Sequence, residues 1–203
     1  MSVMSSRLRR CITGMLTALL LACGMSGSTS AEEAKPLTAI LLVARAELPD
    51  PNFSDSVVLV MNNIAPAPVG IIINRPTHLA VAELFPNLKR VAHLHEKVYF
   101  GGPVGLESVW FLFRAKRPPE HAVPAVDGVY LSADRELLLR LLDRDKPMDG
   151  LRIFMGHSGW GPGQLEAEIA HGDWSLERAK SDAIFERKSE HPWPTPENPG
   201  SST

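Results

Sequence analysis

The chain has 203 residues, of which 44% are apolar and 22% charged, and a formal net charge of −2. That length holds one domain or at most two small ones, and the composition excludes wholesale disorder and a multi-span membrane protein. Two cysteines exclude a disulfide-stapled scaffold, and without a basic excess the chain lacks the electrostatic footprint of a direct nucleic-acid binder.

The first segment reads as a leader. Arg7, Arg9 and Arg10 precede an apolar run from Cys11 to Ala22. The run is about a dozen residues, short for a membrane span of roughly 20 and suited to a secretory signal. Leu20-Leu21-Ala22-Cys23 resembles a bacterial lipobox that would leave a lipidated Cys23, whereas Thr29-Ser30-Ala31 fits ordinary signal-peptidase cleavage before Glu32. An uncleaved anchor and a misplaced start codon are the bland alternatives. Residues 1–31 carry three arginines and no acid, so the rest holds 18 basic and 23 acidic groups, a net of −5. Cleavage after Ala31 would also remove both cysteines and leave a thiol-free protein indifferent to an oxidising compartment.

Residues 32–36 read as the end of a small, polar linker and residues 37–187 as one folded domain. Within it, strands are predicted at 38–44, 57–61, 69–73, 98–100, 109–113, 129–131 and 151–155, all short apolar runs bounded by Gly, Pro or Asn. The continuous β-branched runs at 57–60 and 70–73 belong in a sheet centre with both faces covered. A short helix is expected over 80–85, stopped by Pro86. The strongest helix is 133–143, with Ser132 as N-cap and Leu137, Leu138, Leu141 and Leu142 forming one stripe. A further helix follows Gly163, with Gly172 placed to close it. The order is not a regular βαβ series, so the fold class is α+β. The last segment, 188–203, holds Pro192, Pro194, Pro196 and Pro199 and reads as a disordered tail.

Four motifs bear on chemistry. Gly156-His157-Ser158-Gly159-Trp160 imitates a serine-hydrolase elbow, but Trp160 stands where that turn needs a small residue, and adjacent side chains on a strand face opposite ways. A hydrolase using Ser158 is therefore a minor alternative to a structural turn. Gly159 to Gly163 opens a helix but offers no phosphate cradle, because Pro162 lacks an N–H and Glu166 and Glu168 supply negative charge there. His93 and His95 are half of a metal site without a third ligand, and an exposed loop or edge is the simpler reading. Asn74-Arg75-Pro76 ends the most hydrophobic strand, where a polar pair can line a cleft. Arg75 could grip an oxyanion there, or else cap carbonyls or pair with Glu166 or Glu168.

Taken together, Asp50-Pro51-Asn52-Phe53, Gly70 to Pro76, Tyr99-Phe100-Gly101-Gly102-Pro103-Val104, and Gly156 to Glu168 with the later Trp174 resemble the YqgE/AlgH family of small bacterial proteins. The resemblance implies a single α+β domain with a bifurcated, partly barrel-like sheet and a few flanking helices. It brings a transcriptional-regulator label but no catalytic residue and no DNA-reading element. The chain departs from the family pattern at His157, where a Tyr is usual, and in its leader.

The resulting expectation is a non-enzymatic binding domain exported to the cell envelope, periplasmic or lipid-anchored through Cys23, touching membrane only through that leader. Its partner is an unidentified protein or small molecule, with no cofactor, no metal and no direct nucleic-acid contact. The candidate ligand-binding residues are Asp50, Asn52, Asn74, Arg75, His157, Trp160, Gln164 and Glu166. The alternative is an intracellular regulator acting through partners.

Overall fold

The structure, a computed structural model, describes residues 39–61 and 65–185. The leader, the linker, Cys23 and the Pro-rich tail lie outside the described residues. Ten strands and four helices follow one another as β1 (Ala39–Ala44), β2 (Val57–Met61), β3 (Val69–Ile72), β4 (Pro76–Ala80), α1 (Val81–Leu84), β5 (Lys97–Phe100), β6 (Val104–Arg114), β7 (Val123–Val126), β8 (Val129–Ser132), α2 (Arg135–Leu142), β9 (Leu151–Gly159), α3 (Gln164–His171), β10 (Trp174–Arg178) and α4 (Ser181–Phe185). A 3-10 turn covers Lys89–Val91.

The strands make one curled sheet in the order β10-β1-β2-β3-β9-β6-β8-β7, with β5 beside β9 and β4 on β5. Every pairing is antiparallel except β5 with β9. The result is a half-barrel with a few helices, of the α+β class. Its sheet divides along β9. Phe154 and Met155 pair with Tyr99 and Phe100 of β5, whereas Ser158 and Gly159 pair with Gly70 and Val69 of β3. The fork lies at Gly156, whose φ is +71°.

The pleat explains the core. Leu41, Val43, Leu59, Ile71 and Ile73 face the inside of the curl with Leu112, Leu131, Phe154 and Ile184. Leu42, Val58, Val60 and Ile72 point the other way, against Trp160, Leu165 and Trp174. Both faces of the central runs are therefore covered, as their uninterrupted apolar sequence requires. A third cluster packs Leu137, Leu138 and Leu142 of α2 onto Phe111, Phe113 and Ile153. Each such fully buried side chain contributes about 1.5–3 kcal/mol relative to exposure.

Helix boundaries follow their caps. The α2 cap is Asp134, whose Oδ1 accepts from Leu137 N–H at 2.7 Å, rather than Ser132; the Ser132 hydroxyl instead accepts from Asp134 N–H and donates to the His121 carbonyl. Helix α3 starts after Gly163 and ends at Gly172, whose φ of +95° is the left-handed closure that glycine permits. Strands β4, β7 and β10 and helix α4 were not predicted. Among the described residues no helix is long and apolar enough to cross a membrane.

Candidate functional site

The segments that carry the family resemblance meet at one corner of the half-barrel. In the loop before β2, Asp50 Oδ1 accepts from Asn52 N–H at 2.8 Å, and the Ser56 hydroxyl donates to the Phe53 carbonyl at 2.7 Å. Arg75, just after β3, donates to the Asn52 and Ser54 carbonyls, both at 2.7 Å. Asn74 donates to the Asp55 carbonyl and accepts from Val57 N–H, each at 2.9 Å. Asn74 and Arg75 therefore hold the loop by its backbone. Charge-assisted bonds of this length are the stronger kind, and the Arg75 guanidinium also lies 5.6 Å from the Phe100 ring centre. Of the readings open to Arg75, carbonyl capping is the one observed; neither Glu166 nor Glu168 pairs with it.

Glu168 serves the tryptophans instead. Its Oε2 accepts from Trp160 Nε1 and from Trp174 Nε1, both at 2.9 Å, and its Oε1 accepts from Gln164 Nε2 at 2.9 Å. Gln164 Oε1 in turn accepts from Gly161 N–H at 3.0 Å. Phe53 stacks on Trp160 with ring centres 6.1 Å apart and meets Trp174 edge-on at 5.6 Å. Trp160 is only 5% exposed, so it is a packed wall with no open face for a ligand. Glu166 sits exposed in the first turn of α3.

The structure thus brings Asp50, Asn52, Asn74, Arg75, Trp160 and Gln164 into one continuous packed unit. His157 stands apart from it. It lies opposite Val104 on β6, with its ring 5.5 Å from that of Trp110. Its Nδ1 and Trp110 Nε1 are buried without hydrogen-bond partners. Ser158 is fully buried, with its hydroxyl 3.4 Å from the Gly101 carbonyl. A nucleophile must meet its substrate, and in this structure the Ser158 hydroxyl is closed to solvent. Because Gly101 O also accepts from Ile72 N–H at 2.8 Å, Ser158→Ala leaves that carbonyl satisfied. Denaturant unfolding should place the variant within about 1 kcal/mol of wild type, with p-nitrophenyl acetate turnover unchanged.

A second feature lies on the opposite face of β5. Strand alternation sends Phe100 toward the packed corner and Tyr99 toward a groove of about 990 Å³. Pro76, paired with Tyr99, lines the same groove, so the Asn74-Arg75-Pro76 strand end does border an opening, through its proline. The far wall is the 145–150 loop, held by Arg144, which donates to the Leu141, Pro147 and Asp149 carbonyls at 3.0, 3.0 and 3.2 Å. His93 and His95 stand on the near wall. Among the described residues no three His, Cys, Asp or Glu side chains come together as a metal site.

Arg152 lies along this groove. It donates to the Ile73 carbonyl at 3.1 Å and to the Phe185 carbonyl at 3.4 Å, and its guanidinium lies 4.6 Å from the Tyr99 ring centre. Burial pushes its pKa below the usual arginine value, and the Tyr99 hydroxyl partly opposes that shift. In the sequence Arg152 lies within the predicted strand 151–155. The available signal was a single charge inside an otherwise apolar run.

Fold and site together define a small half-barrel α+β domain with a self-bonded corner and an open polar groove. The sequence profile of the family described as AlgH-like matches residues 41–196, and the chain belongs to that family. A UPF0301 protein of Anaeromyxobacter sp. strain Fw109-5 is 37% identical over 166 residues, covering 76% of this chain and 83% of the relative. A UPF0301 protein of Streptomyces avermitilis is 35% identical, covering 83% and 88%. Among solved structures, the AlgH protein from Pseudomonas aeruginosa superposes with a TM-score of 0.62 at 26% identity, covering 76% of this chain and 84% of that one.

Proposed function

We propose that this AlgH-like chain is a non-enzymatic binding domain, exported to the cell envelope, that takes a small polar ligand in the groove beside Tyr99 and Arg152. The observation that carries this reading is the contrast between the two features. The groove is open and has the volume of small-molecule clefts, while in the corner Arg75 is engaged with backbone carbonyls and Glu168 with the two indoles. The burial of Ser158 supports a role without covalent catalysis. Export rests on Arg7, Arg9 and Arg10 ahead of the Cys11–Ala22 apolar run, and on the absence of cysteine after Cys23.

Two measurements test this. Protein isolated without denaturation from its own cells should release a small molecule, weighed by mass spectrometry, that Lys146→Trp loses. Lys146 is exposed on the groove wall, so the bulkier ring narrows the opening without disturbing the core. No released compound, or equal release from both proteins, rejects the groove. The native N-terminus decides compartment: a lipidated Cys23 or a free Glu32 supports export. An intact Met1 on protein from the cell interior replaces it with an intracellular role through partners.

A further inference from the structure

Resting on the reading of the groove as the ligand site, we infer that Arg152 recognises a small oxyanion there, a carboxylate or a phosphoryl group. Arg152 is a cation set into an apolar stretch of β9, between Leu151 and Ile153. Desolvating a charge is costly unless an opposite charge or several strong hydrogen bonds offset it. Here the offset is incomplete: two carbonyl contacts at 3.1 and 3.4 Å and one aromatic face. Among the described residues no carboxylate lies within ion-pairing distance of it.

Arg75 makes two 2.7 Å bonds to carbonyls, Arg144 makes three carbonyl contacts, and Arg114 pairs with Asp182 at 3.0 Å. The Arg152 contacts to carbonyls, at 3.1 and 3.4 Å, are longer than those of Arg75; Arg45, whose buried Nε lacks a partner, does not line the groove. Its guanidinium carbon lies over the Tyr99 ring, Nη1 and Nη2 each donate to one carbonyl, and the side chain lines the groove, so its further N–H groups are available to a carboxylate or phosphoryl oxygen. Lys146, Lys97, which donates to the His78 carbonyl at 2.8 Å, and Arg114, paired with Asp182, add positive charge to the walls. Glu96, Asp145 and Asp149 also line the groove; Asp145 is 3.6 Å from Arg90, which lies outside it. These acids disfavour highly charged polyanions and leave room for a ligand of one or two charges.

The test is a titration of the full, isotope-labelled chain with acetate and with inorganic phosphate, at constant ionic strength, followed by amide chemical shifts. Sodium chloride is the control. Saturable shifts at Tyr99, Gly150, Leu151 and the Arg152 side-chain N–H with at least one oxyanion, absent with chloride, support the inference. Arg152→Gln should weaken binding about tenfold or more, Arg152→Lys should fall between, and Arg90→Gln should change nothing. Should Arg152→Gln fail to fold, the wild-type shift map still decides. Shifts that chloride reproduces, or that spread over surface lysines, overturn the inference. If these fail while a neutral compound is still released and lost in Lys146→Trp, the groove stands and its oxyanion specificity falls; if both fail, both readings fall.

Discussion

Gly102→Ala should lose at least about 4 kcal/mol of stability. Gly102 has a φ of +149°, a conformation that residues with a side chain rarely adopt, and an added Cβ would stand 2.3 Å from the His157 carbonyl carbon and 2.5 Å from Ser158 N. These are backbone atoms of β9, which cannot swing aside as a side-chain tip can. The opposing strand is equally tight: at Gly156 an added Cβ would stand 2.4 Å from the Gly102 carbonyl oxygen. The two segments cross where the sheet forks, with Gly101 N–H donating to Met155 O at 2.8 Å. Thermal unfolding of the variant should begin about 10 °C or more below wild type. A melting temperature within about 3 °C of wild type would show that the fork is more plastic than the geometry allows.

Glu168→Ala is the second. Removing this carboxylate leaves the indole N–H groups of Trp160 and Trp174 without their acceptor, and these rings are 5% and 2% exposed. Each unsatisfied buried donor costs about 1–3 kcal/mol, so the loss should be about 3 kcal/mol. Glu168→Gln keeps one oxygen acceptor and should cost about a third as much. Denaturant midpoints give the ranking, and the tryptophan emission of the alanine variant should shift to the red. Equal stability of the alanine and wild-type proteins would mean that water replaces the carboxylate freely.

Most of the fold was legible where the sequence is monotonous. The runs at 57–60 and 70–73 are strands because nothing else buries a continuous β-branched stretch on both faces. The missed elements are those whose signals cancel. Strand β4 opens with Pro76 and β7 contains Pro124, residues that demote a run and that sheets accept at their edges. Strand β10 carries buried Trp174 and exposed Leu176 on the same face, so no clean alternation marks it. Strands β6 and β9 extend past their apolar centres, at 109–113 and 151–155, because Val104 pairs with His157 beyond an irregularity and Ser158 and Gly159 pair with β3.

The site was legible in part. Asp50, Asn52, Asn74, Arg75, Trp160 and Gln164 lie at one corner while His157 stands apart, because which way each side chain points is a property of strand register. Arg75 turns to the loop and Pro76 to the groove; Phe100 turns to the corner and Tyr99 to the groove. A one-residue difference therefore separates a packed frame from an open cleft. The surroundings of Arg152, two carbonyls and the Tyr99 ring with no carboxylate among its contacts, come from strands and a helix distant in sequence and are visible only in three dimensions.

The division of labour between corner and groove is tested most directly by the amount of native small molecule retained per folded protein in Arg75→Ala and Arg152→Gln. Arg75→Ala, which releases the Asn52 and Ser54 carbonyls, should lower stability by about 2 kcal/mol while each folded molecule keeps its ligand. Arg152→Gln should empty the groove in protein that remains folded. Loss of ligand from folded Arg75→Ala, with full retention in Arg152→Gln, would move the binding site to the corner and contradict the account.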